Sequence, residues 1–117
     1  MSDDCLFCKI AAGEIGELFY ENEHVVAFRD INPVAPTHVL VIPRKHISTI
    51  NEIDPEDAEI VGHLFLAAKE IAAAEGLAER GYRTTMNCNR DAGQSVFHIH
   101  LHLTGGHAMG WPPWPGA

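Results

Sequence analysis

The sequence predicts an α+β protein with one antiparallel sheet of about five strands, one long helix and one short N-terminal helix. Two observations support this class: β-prone runs recur along the chain, and a single stretch of about 20 residues has helical periodicity. A third is that no internal repeat, linker or domain boundary separates these segments. The length of 117 residues fits a single domain, residues 1–117, which can bury a core without disulfides.

The first half of the chain predicts the short helix and three strands. Residues 5–12 repeat apolar side chains near period 3.6, so we expect a helix there. The β-prone runs 18–20 and 25–28 flank a polar patch of turn length, which predicts a hairpin. The run 37–42 is β-branched and is closed by Pro43, so it predicts a third strand.

Alternation along this third strand determines which side chains share a face. Successive side chains of a strand point to opposite sides of the sheet. We therefore expect His38, Leu40 and Ile42 on one face and Val39 and Val41 on the other.

The second half begins with the long helix. Asp54 is its predicted N-cap, with Pro55 in the first helical position, and Gly76 offers a stop. The apolar stripe expected to cover the sheet comprises Ile60, Val61, Leu64, Phe65, Ala68, Ile71 and Ala72. Two further strands are expected at 82–87 and 96–104, and the Pro- and Gly-rich tail 105–117 is expected to be irregular.

Composition limits the classes of partner. Eight Lys and Arg residues against sixteen Asp and Glu residues give a net charge of −8. Nucleic-acid polymers and anionic membranes are bound through clustered basic residues, so neither is an expected partner, whereas small anions remain possible. The acidic N-terminus lacks the features of a signal peptide and no apolar run is long enough to span a membrane, so we expect a cytoplasmic protein.

Three of the eight histidines alternate along the last predicted strand. His98, His100 and His102 should share one face, because strand side chains alternate. The opposite, core-facing side takes Phe97, Ile99, Leu101 and Leu103. A His-rich surface strand or a purely structural metal site could also produce this pattern, but a row of imidazoles favours chemistry.

Such a row is suited to attack on phosphorus. Neutral imidazole is a nitrogen nucleophile near pH 7, and neighbouring imidazoles can move protons or hold phosphate oxygens. His38 could orient the central ring from the adjacent strand, as the third member of a triad does. The turn Gly93-Gln94-Ser95 offers backbone N–H groups for an anion-binding nest and a hydroxyl for a leaving group.

The segment His98-Ile99-His100-Leu101-His102-Leu103 resembles the defining motif of the histidine-triad (HIT) family of nucleotide-binding proteins. The similarity extends over nearly the whole chain and is greatest to the Hint branch, the purine nucleoside phosphoramidases. The segments that carry it are 28–33, 35–43, 45–47, 93–96 and the tail with Gly105-Gly106 and Trp111-Pro112-Pro113. The resemblance implies a HIT-like fold and a two-fold dimer, with the tail 105–117 at the dimer interface.

The resemblance also implies a role for each matching residue. His100 would be the nucleophile, with His98 and His102 beside it, His38 relaying or orienting, and Ser95 serving the leaving group. Asp30 would accept both ribose hydroxyls; Phe7, Ile10, Phe28, Ile31 and Leu40 would enclose the base; Asn87, Gly93, Gln94 and His102 would contact the phosphate. Ordinary core packing is the alternative for the hydrophobic members, and turn capping is the alternative for Asp30.

The pair Cys5-x-x-Cys8 has the spacing of a metal or redox pair. A closed zinc site needs two more ligands, and the resemblance to zinc-containing HIT members implies His46 and His98. Unmetallated thiols and a redox pair are the alternatives.

Together these observations predict a hydrolase that cleaves purine nucleoside 5′-phosphoramidates through a nucleotidyl-histidine, with no cofactor required for catalysis and a structural zinc possible. The expected partners are a purine nucleotide and a second copy of the chain. Two alternatives are a Fhit-like dinucleoside polyphosphate hydrolase and a nucleotide-sensing interaction protein with vestigial catalysis, for which Trp111 and Trp114 in the tail would contact a partner.

Overall fold

A computed structural model describes residues 4–113. The regular elements are α1 (Leu6–Ala11), β1 (Tyr20–Glu21), β2 (Val25–Arg29), β3 (Thr37–Pro43), α2 (Ala58–Ala74), β4 (Tyr82–Thr85) and β5 (Leu101–Gly105). The five strands form one antiparallel sheet in the order β1-β2-β3-β5-β4. The predicted α+β class, with five antiparallel strands and a long and a short helix, is confirmed.

Strand β3 lies in the middle of the sheet, and every one of its residues is buried. Its register places Leu40 opposite Phe28 on one side and opposite His102 on the other. Cross-strand partners point to the same face of a sheet, so these three side chains form a row across it. The register thereby sets apolar residues beside a histidine of the predicted site.

The two faces of the sheet carry separate apolar clusters. Leu64 and Ile71 of α2 pack with Val39 and Val41 on one face. On the other face, α1 packs with Leu40 and Ile42. The alternation predicted for the third strand is confirmed, and it keeps the core under α2 separate from the face that carries His38 and the row of histidines.

The long helix differs from the prediction at its start and in its stripe. Residues Pro55–Asp57 form a 3₁₀ turn, in which the Asp57 carboxylate accepts from the Asp54 N–H at 3.0 Å, and the α-helix follows. The buried positions are Leu64, Ala67, Ala68, Ile71 and Ala72. Phe65 is 50% exposed, while Ile60 and Val61 are only half-buried, so including these three in the covered stripe was wrong. One residue turns a helix by about 100°, which carries Phe65 away from the contact made by Leu64.

The last strand is shorter than predicted. Strand β5 begins at Leu101, so His98 and His100 lie in the extended segment before it and only His102 belongs to the strand. Continuing the ladder would place Ile99 opposite Pro43, which has no N–H to donate. The Ile99 N–H instead donates to the Ile47 carbonyl at 2.8 Å.

Three smaller expectations also need correction. The strand expected at 18–20 is instead Tyr20–Glu21, which includes a residue assigned to the turn, and the strand expected at 82–87 ends at Thr85. Phe97 was expected in the core but is 50% exposed. It precedes the ladder, where the alternation of a paired strand no longer applies.

Gly105, the first residue of the predicted irregular tail, is the last residue of β5, whereas residues 106–113 contain no helix or strand. Trp111 is 81% exposed, and Trp114 lies outside the described residues. Across residues 4–113, none of the helices has the length and apolar character that crossing a membrane would require.

Candidate active site

His38 and His102 meet across the β3–β5 pair, and their protons can be assigned from their partners. The Val34 N–H donates to His38 Nδ1 at 3.1 Å, so that nitrogen is unprotonated and the ring proton sits on Nε2. His38 Nε2–H lies 2.9 Å from His102 Nδ1 and donates to it. His102 therefore carries its own proton on Nε2.

The central histidine is fixed by the backbone of its neighbour. His100 Nδ1 lies 2.9 Å from the His98 carbonyl oxygen, and because a carbonyl only accepts, Nδ1 carries the proton. The lone pair of His100 is therefore on Nε2. Its ring centroid is 5.0 Å from that of His102, and the side chain is buried except at the cavity that it lines. A neutral imidazole held in this way presents a single nucleophilic nitrogen.

Burial keeps two of these rings uncharged. Removal from water lowers the pKa of His102 to about 4, assisted by the neighbouring His100 and His38, while Asp30 opposes the shift. Burial likewise lowers the pKa of His98 to about 4. His102 is consequently neutral near pH 7, so it would hold a phosphate oxygen by donating through Nε2–H and not through a positive charge.

A cavity of about 520 Å³ opens beside His100 and His102. All five residues predicted to enclose a base line it: Phe7, Ile10, Phe28, Ile31 and Leu40. Asp30 and Ser95 also line it. Six further lining residues were not predicted from the sequence: Leu6, Ile15, Gly16, Glu17, Arg29 and Val96. Three of them, Leu6, Arg29 and Val96, are next to predicted residues in the chain. An apolar chamber with a small number of polar groups is the usual form of a small-molecule site.

Asp30 has two contacts in this cavity. Its Oδ1 accepts from the Asn32 N–H at 2.8 Å, and its Oδ2 lies 3.4 Å from His38 Nε2. The turn-capping role considered as an alternative is thus present. The second oxygen faces the histidine row, so capping the turn does not prevent Asp30 from contacting a ligand.

The loop before the histidines is held by its own polar groups. The Gly93 N–H donates to the Arg90 carbonyl at 3.0 Å, and the Gln94 N–H donates to the Asn89 carbonyl at 3.1 Å. The Gln94 amide nitrogen donates to the carbonyls of Ser48 and Val96. The predicted nest of free N–H groups is therefore not formed at Gly93 and Gln94, because both groups are used to hold the loop that carries Ser95.

Asn87 lies on the other side of the histidine pair. It lines a second, more open cavity of about 770 Å³, together with His38, His102, Arg83 and His107. His102 lines both cavities. A group bound at His102 would therefore have the apolar chamber on one side and this second cavity on the other.

The four predicted metal ligands converge beside the site. One possible ligand atom from each of Cys5, Cys8, His46 and His98 lies within 4.8 Å of the other three. The Sγ atoms of Cys5 and Cys8 lie 3.4 and 3.5 Å from His98 Nδ1, and the Nδ1 atoms of His46 and His98 are 3.3 Å apart. Tetrahedral zinc with ordinary bond lengths places S and N about 3.5 Å apart and two N atoms about 3.3 Å apart, so the spacing fits zinc.

The tautomer of His98 also fits this role. Its Nε2 lies 2.8 Å from the Pro43 carbonyl oxygen and donates to it, which leaves Nδ1 with the free lone pair that a metal needs. Pro43 was not among the residues selected from the sequence, because a carbonyl partner leaves no sequence signal.

The fold and the site together define an α+β protein in which an imidazole with one unprotonated ring nitrogen lines an apolar chamber. The HIT domain family profile matches residues 14–109. The chain belongs to the HIT family.

Relatives of known sequence and structure agree with this assignment. The chain is 46% identical over 111 residues to a purine nucleoside phosphoramidase of Escherichia coli K12, covering 94% of this chain and 93% of that protein. A HIT family hydrolase from Legionella pneumophila has a TM-score of 0.92 and 54% identity, covering 95% of this chain and all of that one. A histidine triad protein from Clostridium difficile has a TM-score of 0.90 at 41% identity, covering 94% and 96%.

Proposed function

We propose that the protein hydrolyses purine nucleoside 5′-phosphoramidates and that His100 is the nucleophile. The observation that carries the proposal is the bond from His100 Nδ1–H to the His98 carbonyl, which leaves Nε2 as the reactive nitrogen at the cavity. The Escherichia coli relative named a purine nucleoside phosphoramidase supports the substrate class.

The reaction proceeds in two displacements at phosphorus. His100 Nε2 attacks the α-phosphorus, a P–N bond to His100 forms, and the P–N bond to the amine breaks. The Ser95 hydroxyl donates the proton with which the amine leaves and recovers a proton from the water that enters. That water attacks the nucleotidyl-histidine, which releases the nucleoside monophosphate and returns His100 to its starting form.

The proposed binding mode follows the two cavities. Phe7, Ile10, Phe28, Ile31 and Leu40 enclose the purine, and Asp30 Oδ2 accepts from the ribose hydroxyls. The phosphate lies at His102, whose Nε2–H and the Asn87 amide donate to its oxygens. Gly93 and Gln94 contribute by holding the Ser95 loop. The net charge of −8 does not oppose this ligand, because the donors are local and neutral.

Cys5, Cys8, His46 and His98 are the residues that would hold a structural zinc. All four positions of a tetrahedral ion would be filled by protein, so the ion would contribute stability rather than a site for water. No step of the proposed reaction uses it. Among these four residues, His98 acts on the proposed nucleophile directly. Its carbonyl accepts from His100 Nδ1–H, and its own ring donates to the Pro43 carbonyl.

We further propose that the protein is a cytoplasmic homodimer in which the β4 edges of two chains meet. Strand β4 pairs only with β5 among residues 4–113, so its outer edge is available, and the exposed Tyr82 lies on it. Sedimentation velocity should give twice the chain mass of 12.8 kDa. Sedimentation as a single chain at micromolar concentration would contradict the dimer.

Comparing two substrates tests the reaction class. The purified protein should hydrolyse an adenosine–lysine phosphoramidate with a much larger kcat/KM than diadenosine triphosphate, because the site is proposed to break P–N bonds. The reverse preference would support the Fhit-like alternative instead. Tight binding of AMP without turnover of either substrate would support a nucleotide sensor.

A further inference from the structure

A second group of possible metal ligands lies away from the active site. His24 is in the turn between β1 and β2, and Glu59 and His63 are one helical turn apart on α2. One possible ligand atom from each of the three lies within 4.8 Å of the other two. The imidazole rings of His24 and His63 stack with centroids 4.0 Å apart, and the Glu59 carboxylate is 3.6 Å from His63 Nε2.

We propose that His24, Glu59 and His63 bind a divalent transition-metal ion, with water completing its coordination. Two imidazoles and one carboxylate match the borderline ions Zn²⁺, Ni²⁺ and Cu²⁺ rather than Ca²⁺ or Mg²⁺, which prefer oxygen ligands. Ligands at positions i and i+4 of a helix lie on one face, which is the spacing that helical metal sites use.

The backbone at this place is already ordered. The Asn22 side chain accepts from the N–H groups of His24 and Val25 at 2.8 and 2.9 Å, and the Arg44 N–H donates to the His24 carbonyl at 2.9 Å. His63 precedes Leu64, which is fully buried under the sheet. Both elements are therefore fixed, so little ordering of the chain would oppose metal binding.

Charge favours a cation at this position. Besides Glu59, the Glu23 carboxylate lies 4.0 Å from His24 Nε2, so two carboxylates surround two imidazoles. Together they can balance the charge of a divalent ion. Binding requires the rings, now only 18° from parallel, to splay about the soft Cβ–Cγ torsion so that one nitrogen of each points at the ion.

Nickel binding to the full-length protein tests the proposal. One equivalent of Zn²⁺ is added first to occupy the Cys5, Cys8, His46 and His98 set, and Ni²⁺ is then titrated by calorimetry. We expect His24→Gln and His63→Gln each to weaken the Ni²⁺ affinity by about tenfold or more. The control His107→Gln, which changes an exposed histidine elsewhere, should bind Ni²⁺ as the parent does. Phosphoramidate turnover should be unchanged in the His24 and His63 variants.

Amide NMR locates the ion independently of the variants. Paramagnetic Ni²⁺ should broaden the signals of His24, Val25 and His63 in the parent more strongly than those of His46 and His98. Broadening confined to the region of His46 and His98, absence of Ni²⁺ binding, or equal affinities in parent and both Gln variants would overturn the proposal. These outcomes do not depend on whether the active site works as proposed.

Discussion

In each histidine of the candidate site, the hydrogen-bond partner of one ring nitrogen determines whether the other nitrogen carries the proton. His38 accepts from the Val34 N–H and donates to His102, while His100 donates to the His98 carbonyl. The sequence pattern could place the rings in a row, but it could not assign their protons. Those depend on backbone groups, and every residue other than proline has the same backbone N–H and C=O.

Asp30 is the residue that we expect to recognise the ribose hydroxyls of the substrate. Asp30→Asn keeps an oxygen for the Asn32 N–H but removes the charge that accepts from hydroxyls. We expect the parent to prefer an adenosine 5′-phosphoramidate over its 2′,3′-dideoxy analogue by roughly 10- to 100-fold in kcat/KM, and the variant to lose most of that preference. Asp30 also contacts His38, but an effect of the substitution through His38 should change kcat/KM equally for both substrates and therefore cancel in their ratio. A preference that is unchanged in the variant would refute the role.

The depressed pKa of His102 predicts how stability depends on pH. Burial lowers this pKa from 6.5 to about 4 in the folded protein, so between these values the unfolded chain binds the proton more readily. The contribution of His102 to the free energy of unfolding is therefore complete above pH 6.5 and is lost progressively as pH falls toward 4. Urea unfolding at about pH 7.5 and about pH 5 should show that the free energy of unfolding falls less between these pH values in His102→Gln than in the parent. His107→Gln should lose as much as the parent, and an equal loss in all three proteins would contradict the assignment.

At the scale of the elements, α2 shows how much of a helix and its buried face can be predicted from the spacing of apolar residues. The helix, its termination near Gly76 and most of its buried stripe were predictable from spacing. The exposure of Phe65 was not, because a wide apolar stripe does not reveal which edge meets the sheet. Likewise, alternation over 96–104 predicted which residues share a face with His102. It could not show that Pro43 ends the ladder before His100.

Two neighbouring helix residues test which face of α2 carries the stability. Leu64→Ala removes a fully buried side chain and should lower the free energy of unfolding by about 2–5 kcal/mol. Phe65→Ala, at a half-exposed position, should cost less than about 1 kcal/mol. The measurement is chemical denaturation of both variants beside the parent. Similar losses in the two would mean that the buried face is misassigned.

The N-terminal helix should depend on metal for its attachment. Cys5 caps α1 and Cys8 lies within it, whereas His46 follows β3 and His98 precedes β5, so an ion would tie the helix to the sheet. Elemental analysis should find about one zinc per chain in the parent. Cys5→Ser should lose the zinc and unfold at a lower temperature. Cys88→Ser, which changes the third cysteine, should keep the metal, and a metal-free parent would contradict the site.

On the scale of the whole molecule, the main apolar core and the candidate active site lie on opposite faces of the sheet. One face of the sheet is closed by α2 over an aliphatic core, and the other carries α1, the apolar chamber and the histidines. This division was predictable, because alternation along β3 assigns residues to faces. The position of the Ser95 loop depends on the bond from Gln94 to the Ser48 carbonyl, and the second cavity is lined by residues far apart in the chain, so spacing could not specify either.

The central claim is that His100 Nε2 forms a bond to phosphorus, and one comparison tests it most directly. Parent and His100→Asn are assayed on a fluorogenic adenosine phosphoramidate, with AMP affinity measured in parallel. Asn can still donate to the His98 carbonyl but has no nucleophilic nitrogen. We predict that turnover falls by about a thousandfold or more while the AMP dissociation constant changes by less than about threefold. Equal turnover in the two proteins would contradict the proposed mechanism.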